Sequence, residues 1–426
     1  MPHALAQAVE MVTTALAVAG MGYFLASIAA ARVFLDQRRA RLANLTSGAP
    51  ADGSLSEESA PCVSILKSLK GIDPGMLEAF RSHCRQRYAG EYELLFGVSS
   101  REDAAVTAVE RLQNEFPERA IRLVECPERL GTNGKVSVLV QLAAQAQHDY
   151  LLINDSDITV GPRYLERVMG CFASPPFPQK KAERMGQQAV PSRNKTISGQ
   201  VGLVTALYRG RAHRTLPSRL EALGIATDFQ AGVLLSKMIE GGLHYGLGST
   251  LAVRREALQK SGGLLPLVNH LADDYELGAR VAKAGYRVEL SAEVVETSVP
   301  EYRWRGFFDH QLRWLRTVRD ARPVGYAGLI FTHGLCWALL NVLASGVSLT
   351  SLWLLGLSFF LRLAQAMTVG AAVLGDHEVL PNLWLLPLRD AIAMGLWVVG
   401  FAGDTIVWRG ERFVLKGGKL ESAERR

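Results

Sequence analysis

From Val324 to Leu361 the chain runs for 38 positions without a charged side chain. As one α-helix this stretch would reach roughly 57 Å, nearly twice the ~30 Å hydrocarbon core of a bilayer. Two crossings, near 326–346 and 350–374, fit better. A third apolar segment, 383–408, is interrupted by Arg389, Asp390 and Asp404. A second apolar block lies at the other end, where residues 11–31 offer 21 uncharged positions between Glu10 and Arg32. That is roughly 32 Å of helix, enough to span. A signal peptide would begin basic and end at a small-residue cleavage site. Here the start holds no Lys or Arg, and the bases (Arg32, Arg38, Arg39, Arg41) follow the segment. An uncleaved anchor over 1–35 fits this pattern, and the positive-inside rule then puts residue 36 onward in the cytoplasm. The two blocks exclude an ordinary soluble enzyme.

Of the 426 residues, 48% are hydrophobic and 21% charged, so the middle of the chain averages out as a soluble domain. A net charge of +6 suits an acidic membrane surface and a phosphate-bearing ligand. No basic motif with interleaved aromatics points to nucleic acid. Five scattered cysteines without a CxxC pair exclude a zinc ribbon and a disulfide scaffold, and fit reduced cytosolic thiols.

The 36–60 stretch reads as a flexible linker, small and polar from residue 43. The runs VSILKSL (63–69), YELLFGV (92–98), IRLVEC (121–126) and YLLIND (150–155) read as buried strands. Helix-like stretches at 75–87, 103–115 and 134–147 alternate with them, which predicts a mainly parallel α/β sheet. Residues 174–199, rich in Pro, Lys, Arg and Gln, read as a long mobile loop. Strand patterns return at 201–207 and 249–255. A helix over 274–284 is closed by Gly285. Residues 304–323, rich in Arg and aromatics, predict an interfacial helix before the membrane segments of 324–408. The tail, 409–426, is basic and suits the cytoplasm. Three full crossings would put it outside, so 383–408 is expected to be re-entrant or interfacial.

Asp155 and Asp157, in NDSD, follow an apolar strand, and ligands gather at strand carboxyl ends in parallel sheets. Two such carboxylates can hold a hard divalent cation against phosphate oxygens. An Asx turn leading to a helix at Pro162 explains them equally well. Asp273 with Glu276 matches an acidic capping box, which leaves Asp274 at the first helical position, free to act as a general base. Lys135 in GTNGK begins a Gly-flanked helix, a place for phosphate or a carbonyl-rich base. His310, Arg313 and Trp314 share one helix face and can grip a diphosphate; an interfacial helix anchored by Trp and Arg explains them too. Arg362, Arg389 and Asp390 are costly in an apolar segment. They are expected to pair between helices or to line a lipid entrance, Arg362 with Asp390.

In this order the motifs resemble the ceramide glucosyltransferase family of membrane-anchored, GT-A-type glycosyltransferases, over nearly the whole chain. VSILKSLKGIDPGM resembles that family's opening strand. YELLFGVSSREDAAV carries its first aspartate at Asp103, NDSDI its second at Asp155, and GGLLPLVNHLADDYELGARVAKAGYRV its third at Asp274. HQLRW stands where the family has (Q/R)xxRW, and WRGERFVLKGG resembles its C-terminal tail. Two departures, His310 in that motif and DSD in place of the DSG of animal members, resemble the bacterial branch associated with hopanoid biosynthesis.

The resemblance implies a GT-A, Rossmann-like domain between N- and C-terminal transmembrane helices of a bacterial inner membrane. It also implies an inverting transfer from a UDP-sugar, UDP-N-acetylglucosamine in that branch, to a lipid hydroxyl such as bacteriohopanetetrol. Asp155 and Asp157 would hold Mg²⁺ or Mn²⁺. Asp103, Lys135 and Asp155 would bind the donor, and Asp274 would be the base. His310, Arg313 and Trp314 would close over diphosphate and acceptor. The alternatives are a ceramide glucosyltransferase proper, a processive polysaccharide synthase, which three C-terminal segments serve poorly as a channel, and a non-catalytic lipid-binding scaffold.

Overall fold

The computed structural model describes residues 2–46, 60–173, 199–408 and 411–422. Most of the expected linker, the expected loop over 174–199 and part of the basic tail lie outside these residues. The first helix, α1 (Pro2–Thr46), does not stop at residue 35. It continues through 36–46, where a linker was expected, because its basic turns are fastened to the domain. Arg38 Nη1 donates to the Val373 carbonyl at 2.8 Å, and Arg41 Nη2 to Glu289 Oε1 at 2.6 Å.

The domain then follows as β1 (Val63–Ser68), α2 (Met76–Cys84), β2 (Tyr92–Val98), α3 (Ala105–Glu115), β3 (Ala120–Glu125), α4 (Gly134–Gln145) and β4 (Tyr150–Ile153). It continues with β5 (Ile158–Thr159), α5 (Tyr164–Ala173), β6 (Val201–Arg211), α6 (Leu216–Gly224), a π-helical turn (Ile225–Phe229), α7 (Gln230–Ile239) and β7 (Leu251–Arg254). Next are α8 (Arg255–Lys260), α9 (Asp273–Lys283) and β8 (Arg287–Ser298). One eight-stranded sheet has the order β3-β2-β1-β4-β7-β6-β8-β5. The first four pair in parallel, β7 and β5 run against their neighbours, and β6 pairs parallel with β8. All seven residues of β2 are buried, as a strand covered on both faces requires.

One face of the sheet is covered by Met76, Phe80, Val109, Tyr164 and Val168, from α2, α3 and α5. The apolar cluster on the other face contains Val138 and Leu142 of α4 and Leu277 of α9, and is continuous with Ala31 and Phe34 of α1 and with Val369 and Leu386. The apolar ends of the chain are therefore built onto the domain rather than tethered to it.

Beyond the sheet come α10 (Trp304–Ala321), α11 (Pro323–Gly328), α12 (Gly334–Ala344), α13 (Leu349–Ala366, continued by a π-helical Met367–Val373), α14 (Val379–Asn382) and α15 (Leu386–Gly400). Among the described residues, three stretches are long and apolar enough to cross a bilayer: Ala4–Arg41, Leu349–Val373 and Val379–Gly400. The segment expected to cross near 326–346 is bent by 56° between Thr332 and Gly334, as in a broken span or a re-entrant loop. Its second half, the 11 residues of α12, spans only about 17 Å. Two glycines let α12 approach α1: a Cβ on Gly20 would lie 2.2 Å from Gly334 Cα.

The tail forms a three-stranded antiparallel sheet, β9 (Thr405–Trp408), β10 (Glu411–Lys416) and β11 (Lys419–Ser422). Its Ile406, Phe413, Leu415 and Leu420 pack on Leu271 of the sheet domain. Leu420 N donates to the Asn269 carbonyl at 2.7 Å and Leu271 N to the Gly418 carbonyl at 3.2 Å. The tail is therefore fastened to the domain.

Candidate active site

β4 ends at Ile153 and the NDSD turn follows at the carboxyl edge of the sheet. Asn154 anchors that turn: its Nδ2 donates to Tyr164 Oη at 3.0 Å and to the Ser249 carbonyl at 2.6 Å. Lys67, 1% exposed near the end of β1, donates from Nζ to the Asp155 carbonyl at 3.0 Å. Burial pulls its pKa down to about 7, against the pull of Asp157 and Asp155. Ser156 donates to Asp73. The turn is thus held by Asn154, Ser156 and a main-chain carbonyl, and the carboxylates of Asp155 and Asp157 are not consumed in forming it.

Asp157 Oδ2 accepts from Thr297 Oγ1 at 2.5 Å and from Ser298 N at 3.2 Å, which orients it from β8. Burial and the neighbouring charge of Asp155 push its pKa up to about 6. Asp155 Oδ1 lies 2.7 Å from Lys135 Nζ. Lys135 also reaches Asp273 Oδ2 at 3.3 Å. Burial works to lower the Lys135 pKa, but Asp155 and Asp273 outweigh it and hold the ammonium above its ordinary value.

The capping box expected at Asp273 does not form. Ala272 occupies the N-cap and Asp273 is already helical, with no side-chain cap. Asp273 turns instead to Lys135 and to Asn133 Nδ2 at 3.5 Å, because the ammonium is the stronger partner. Glu276 pairs with Arg280. Asp274 is left facing the NDSD turn across Gly248. A Cβ on Gly248 would lie 3.1 Å from Asp274 Oδ2 and 3.4 Å from Asp155 Oδ2, so any larger residue would fill the gap between these carboxylates. Burial and Asp273 push the Asp274 pKa up to about 6, opposed by Lys135.

Asp103 stands apart from this group. Its carboxylate accepts from Gly71 N at 2.9 and 3.1 Å and from Ala105 N at 2.9 Å, tying the loop after β1 to the start of α3.

On α10, His310 lies between aromatic rings, stacked on Tyr302 at 5.5 Å and tilted on Trp314 at 5.4 Å. Trp314 meets Phe229 at 5.6 Å, and Phe229 meets Tyr208 at 5.7 Å. Burial, then the charges of Asp274 and Glu221, raise the Tyr208 pKa, which places this aromatic row beside the acids. Burial and then Glu221 raise the Tyr302 pKa; Arg313 opposes them.

Arg362, Arg389 and Asp390 are brought together where α13 and α15 meet the π-helical turn Ile225–Phe229. Arg362 Nε and Nη2 donate to Asp390 at 2.9 and 2.8 Å, and Nη2 also donates to Asp228 Oδ1 at 2.5 Å. Arg389 Nη2 lies 3.4 Å from Asp228 Oδ2 and 3.5 Å from Gln311 Oε1, while its Nε and Nη1 are buried without a partner among the described residues.

Sequence reasoning missed Lys67, Asp73, Glu221 and Thr297. Lys67 left a visible trace, a lysine inside a buried apolar strand. The others sit on unremarkable polar positions and are recruited only by the fold. Among the described residues no cluster of three or more His, Cys, Asp or Glu could cage a metal.

Compared with known proteins, the sequence matches the model of glycosyl transferase family 21 over residues 12–177 and 184–420. It is similar to ceramide glucosyltransferase 3 of Caenorhabditis elegans, 24% identical over 85% of this chain and 74% of the relative. Ceramide glucosyltransferase 1 of the same organism is 23% identical with the same coverage. Among solved structures, the mannosyltransferase PcManGT from Pyrobaculum calidifontis, in complex with GDP-Man and Mn²⁺, shares 18% identity at a TM-score of 0.49, over 92% of this chain and 99% of that one.

Proposed function

Because the chain belongs to glycosyl transferase family 21, we propose that it moves a sugar, with inversion, from UDP-N-acetylglucosamine to a hydroxyl of a membrane lipid, bacteriohopanetetrol. The observation that carries this reading is the approach of Asp155 and Asp274 to one gap across Gly248, with Lys135 beside both. Asp274 takes the proton of the lipid hydroxyl as its oxygen bonds to the anomeric carbon. The bond from that carbon to the diphosphate oxygen breaks, and UDP leaves with the electron pair. One base suffices, and no carboxylate nucleophile is needed. Arg313, His310 and Trp314 close over the diphosphate, with Asp103 and Lys135 on the nucleotide side. Arg389, with two buried nitrogens that lack a partner among the described residues, lies on the acceptor side.

The donor set fits a divalent cation. Asp155 and Asp157 offer two mutually repelling carboxylates, with no cluster of three or more such ligands among the described residues, and would hold a hard ion. Mg²⁺ or Mn²⁺ held there supplies positive charge to the leaving diphosphate. The bases after the first apolar segment support a cytoplasmic domain on a bacterial inner membrane.

Two features favour the hopanoid branch: the added carboxylate of Asp157 and the histidine at 310. The names of the relatives favour a second reading, transfer of glucose to ceramide. The deciding experiment offers purified protein UDP-N-acetylglucosamine or UDP-glucose, each with bacteriohopanetetrol or ceramide, and weighs the products by mass spectrometry. Singly glycosylated bacteriohopanetetrol is expected. Glucosylceramide would select the second reading, a polymer would indicate a synthase, and intact donor in every pairing would overturn the enzyme reading.

A further inference from the structure

A cleft of about 90 Å³ opens where α9, α10 and the turn between β10 and β11 meet. Polar groups from all three line it: His270 just before α9, Glu276 on α9, Thr317 and Asp320 on α10, and Gly418 in the turn. The cleft is separate from the candidate active site. Ala272 and Glu276, four apart on one face of α9, border it, whereas Asp274 faces Gly248 from another side of that helix. His270 is 7% exposed, and its Nδ1 is buried without a hydrogen-bond partner among the described residues. A Cβ on Gly418 would lie 3.4 Å from His270 Nδ1 and 3.9 Å from Asp320 Oδ2, so glycine leaves open a place within reach of both.

Asp320 accepts from the Gly418 amide, and Glu276 Oε2 from Arg280 Nε at 3.3 Å. Thr317 Oγ1 donates its proton to the Arg313 carbonyl at 2.7 Å, which leaves the hydroxyl oxygen to accept. Burial pulls the His270 pKa below its ordinary value, against the pull of Glu276, so near pH 7 the ring is neutral and accepts through one nitrogen. The lining thus offers two carboxylates, a hydroxyl oxygen and an imidazole nitrogen, and among the described residues no Lys or Arg side chain belongs to it.

We propose that this cleft binds a primary ammonium group, carried by a free amine or by an aminolipid headgroup. Three N–H donors without an acceptor match a set of acceptors that carries negative charge. An anion would meet two carboxylates, and a fully substituted cation has nothing to donate. The volume admits a group of a few non-hydrogen atoms. The site is independent of the glycosyl-transfer reading. Its walls belong to α9, α10 and the tail, so an occupant ties the three together and stabilises the folded chain.

The test is thermal melting of the full chain in detergent, titrated with ethylammonium chloride at constant ionic strength. A saturable rise in Tm is expected, and tetramethylammonium, which has the charge without an N–H, should give none. Asp320→Asn keeps an oxygen for the Gly418 amide and removes the charge; it should raise the half-saturating concentration about tenfold or more. Thr317→Val removes one acceptor and should raise it about threefold or more; it decides if the Asn variant fails to fold. Nanodiscs separate the two sources. A higher Tm in phosphatidylethanolamine than in phosphatidylcholine, lost in Asp320→Asn, assigns a lipid headgroup, and a response to ethylammonium alone assigns a free amine. No rise with ethylammonium, an equal rise with tetramethylammonium, or an unchanged half-saturation in the folded variants would overturn the proposal.

Discussion

Asp274 is pulled two ways: burial and Asp273 raise its pKa to about 6, while Lys135 holds it down. Such a base is ionised at neutral pH and still has useful proton affinity. Turnover should therefore fall as pH drops through about 6, as a pH–rate profile will show. Asp274→Asn should lower turnover by about 10²–10⁴-fold with donor affinity hardly changed; a loss of only a few-fold would make Asp274 part of a helix start. Stability should run the other way. A carboxylate with a raised folded pKa contributes stability below its ordinary pKa, and that contribution is lost as pH rises through about 6. At pH 7.5 the Asn variant should melt no lower than wild type, and any advantage should shrink as pH falls through 6. Asp155→Ala should abolish transfer, as should excess chelator on wild type; full activity in chelator would remove the metal from the reaction.

At the scale of elements, the C-terminal sheet braces the two loops that lead into Lys135 and into Asp273 and Asp274. β11 hydrogen-bonds to Asn269, four residues before Asp273, and Thr132 Oγ1 donates to the Leu420 carbonyl at 3.1 Å. Thr132 and Asn133 lead directly into Lys135, and Asn133 Nδ2 donates to the His270 carbonyl at 2.8 Å. Leu420→Asp puts a charge into the small core on Leu271 and should free this brace. Small displacements of catalytic groups cost up to about 10²-fold, so turnover is expected to drop on that order while the far-UV spectrum stays unchanged. Activity equal to wild type would show that the acids hold themselves in place. β1 and β2 were legible because both faces are buried and their runs are mainly apolar. The start of α9 was not, because a local capping rule cannot see Lys135, which lies 138 positions earlier in the chain.

At the scale of the molecule, the packing of the tail on the domain predicts the parity of any membrane crossings. With both on one side, the apolar segments between α10 and β9 are expected to cross an even number of times, and α1 to put the N-terminus opposite. A cysteine at position 5 and one at position 421 should be labelled by an impermeant thiol reagent from opposite faces of sealed vesicles; labelling from one face would refute this topology. The charges of α13 and α15 bear on the same region. Arg362, Asp390 and Asp228 satisfy one another, whereas Arg389 keeps two nitrogens without a partner among the described residues. Arg389→Leu should therefore weaken acceptor use more than donor hydrolysis, compared as KM for lipid against the rate of UDP release.

The sequence by itself determined the apolar ends, the strand–helix alternation and the residue types able to bind a sugar nucleotide. Each depends on local properties: hydropathy over a bilayer thickness, period, and the chemistry of a motif. Only the tertiary structure decided that α1 runs on into the domain, that Asp273 serves Lys135 and not a cap, and that Glu221 lies 3.0 Å from His310. It alone placed the tail beside the domain, a contact that counting apolar segments could not reveal. These are contacts between positions tens to hundreds of residues apart, and the free energy of a buried charge depends on what the fold sets against it.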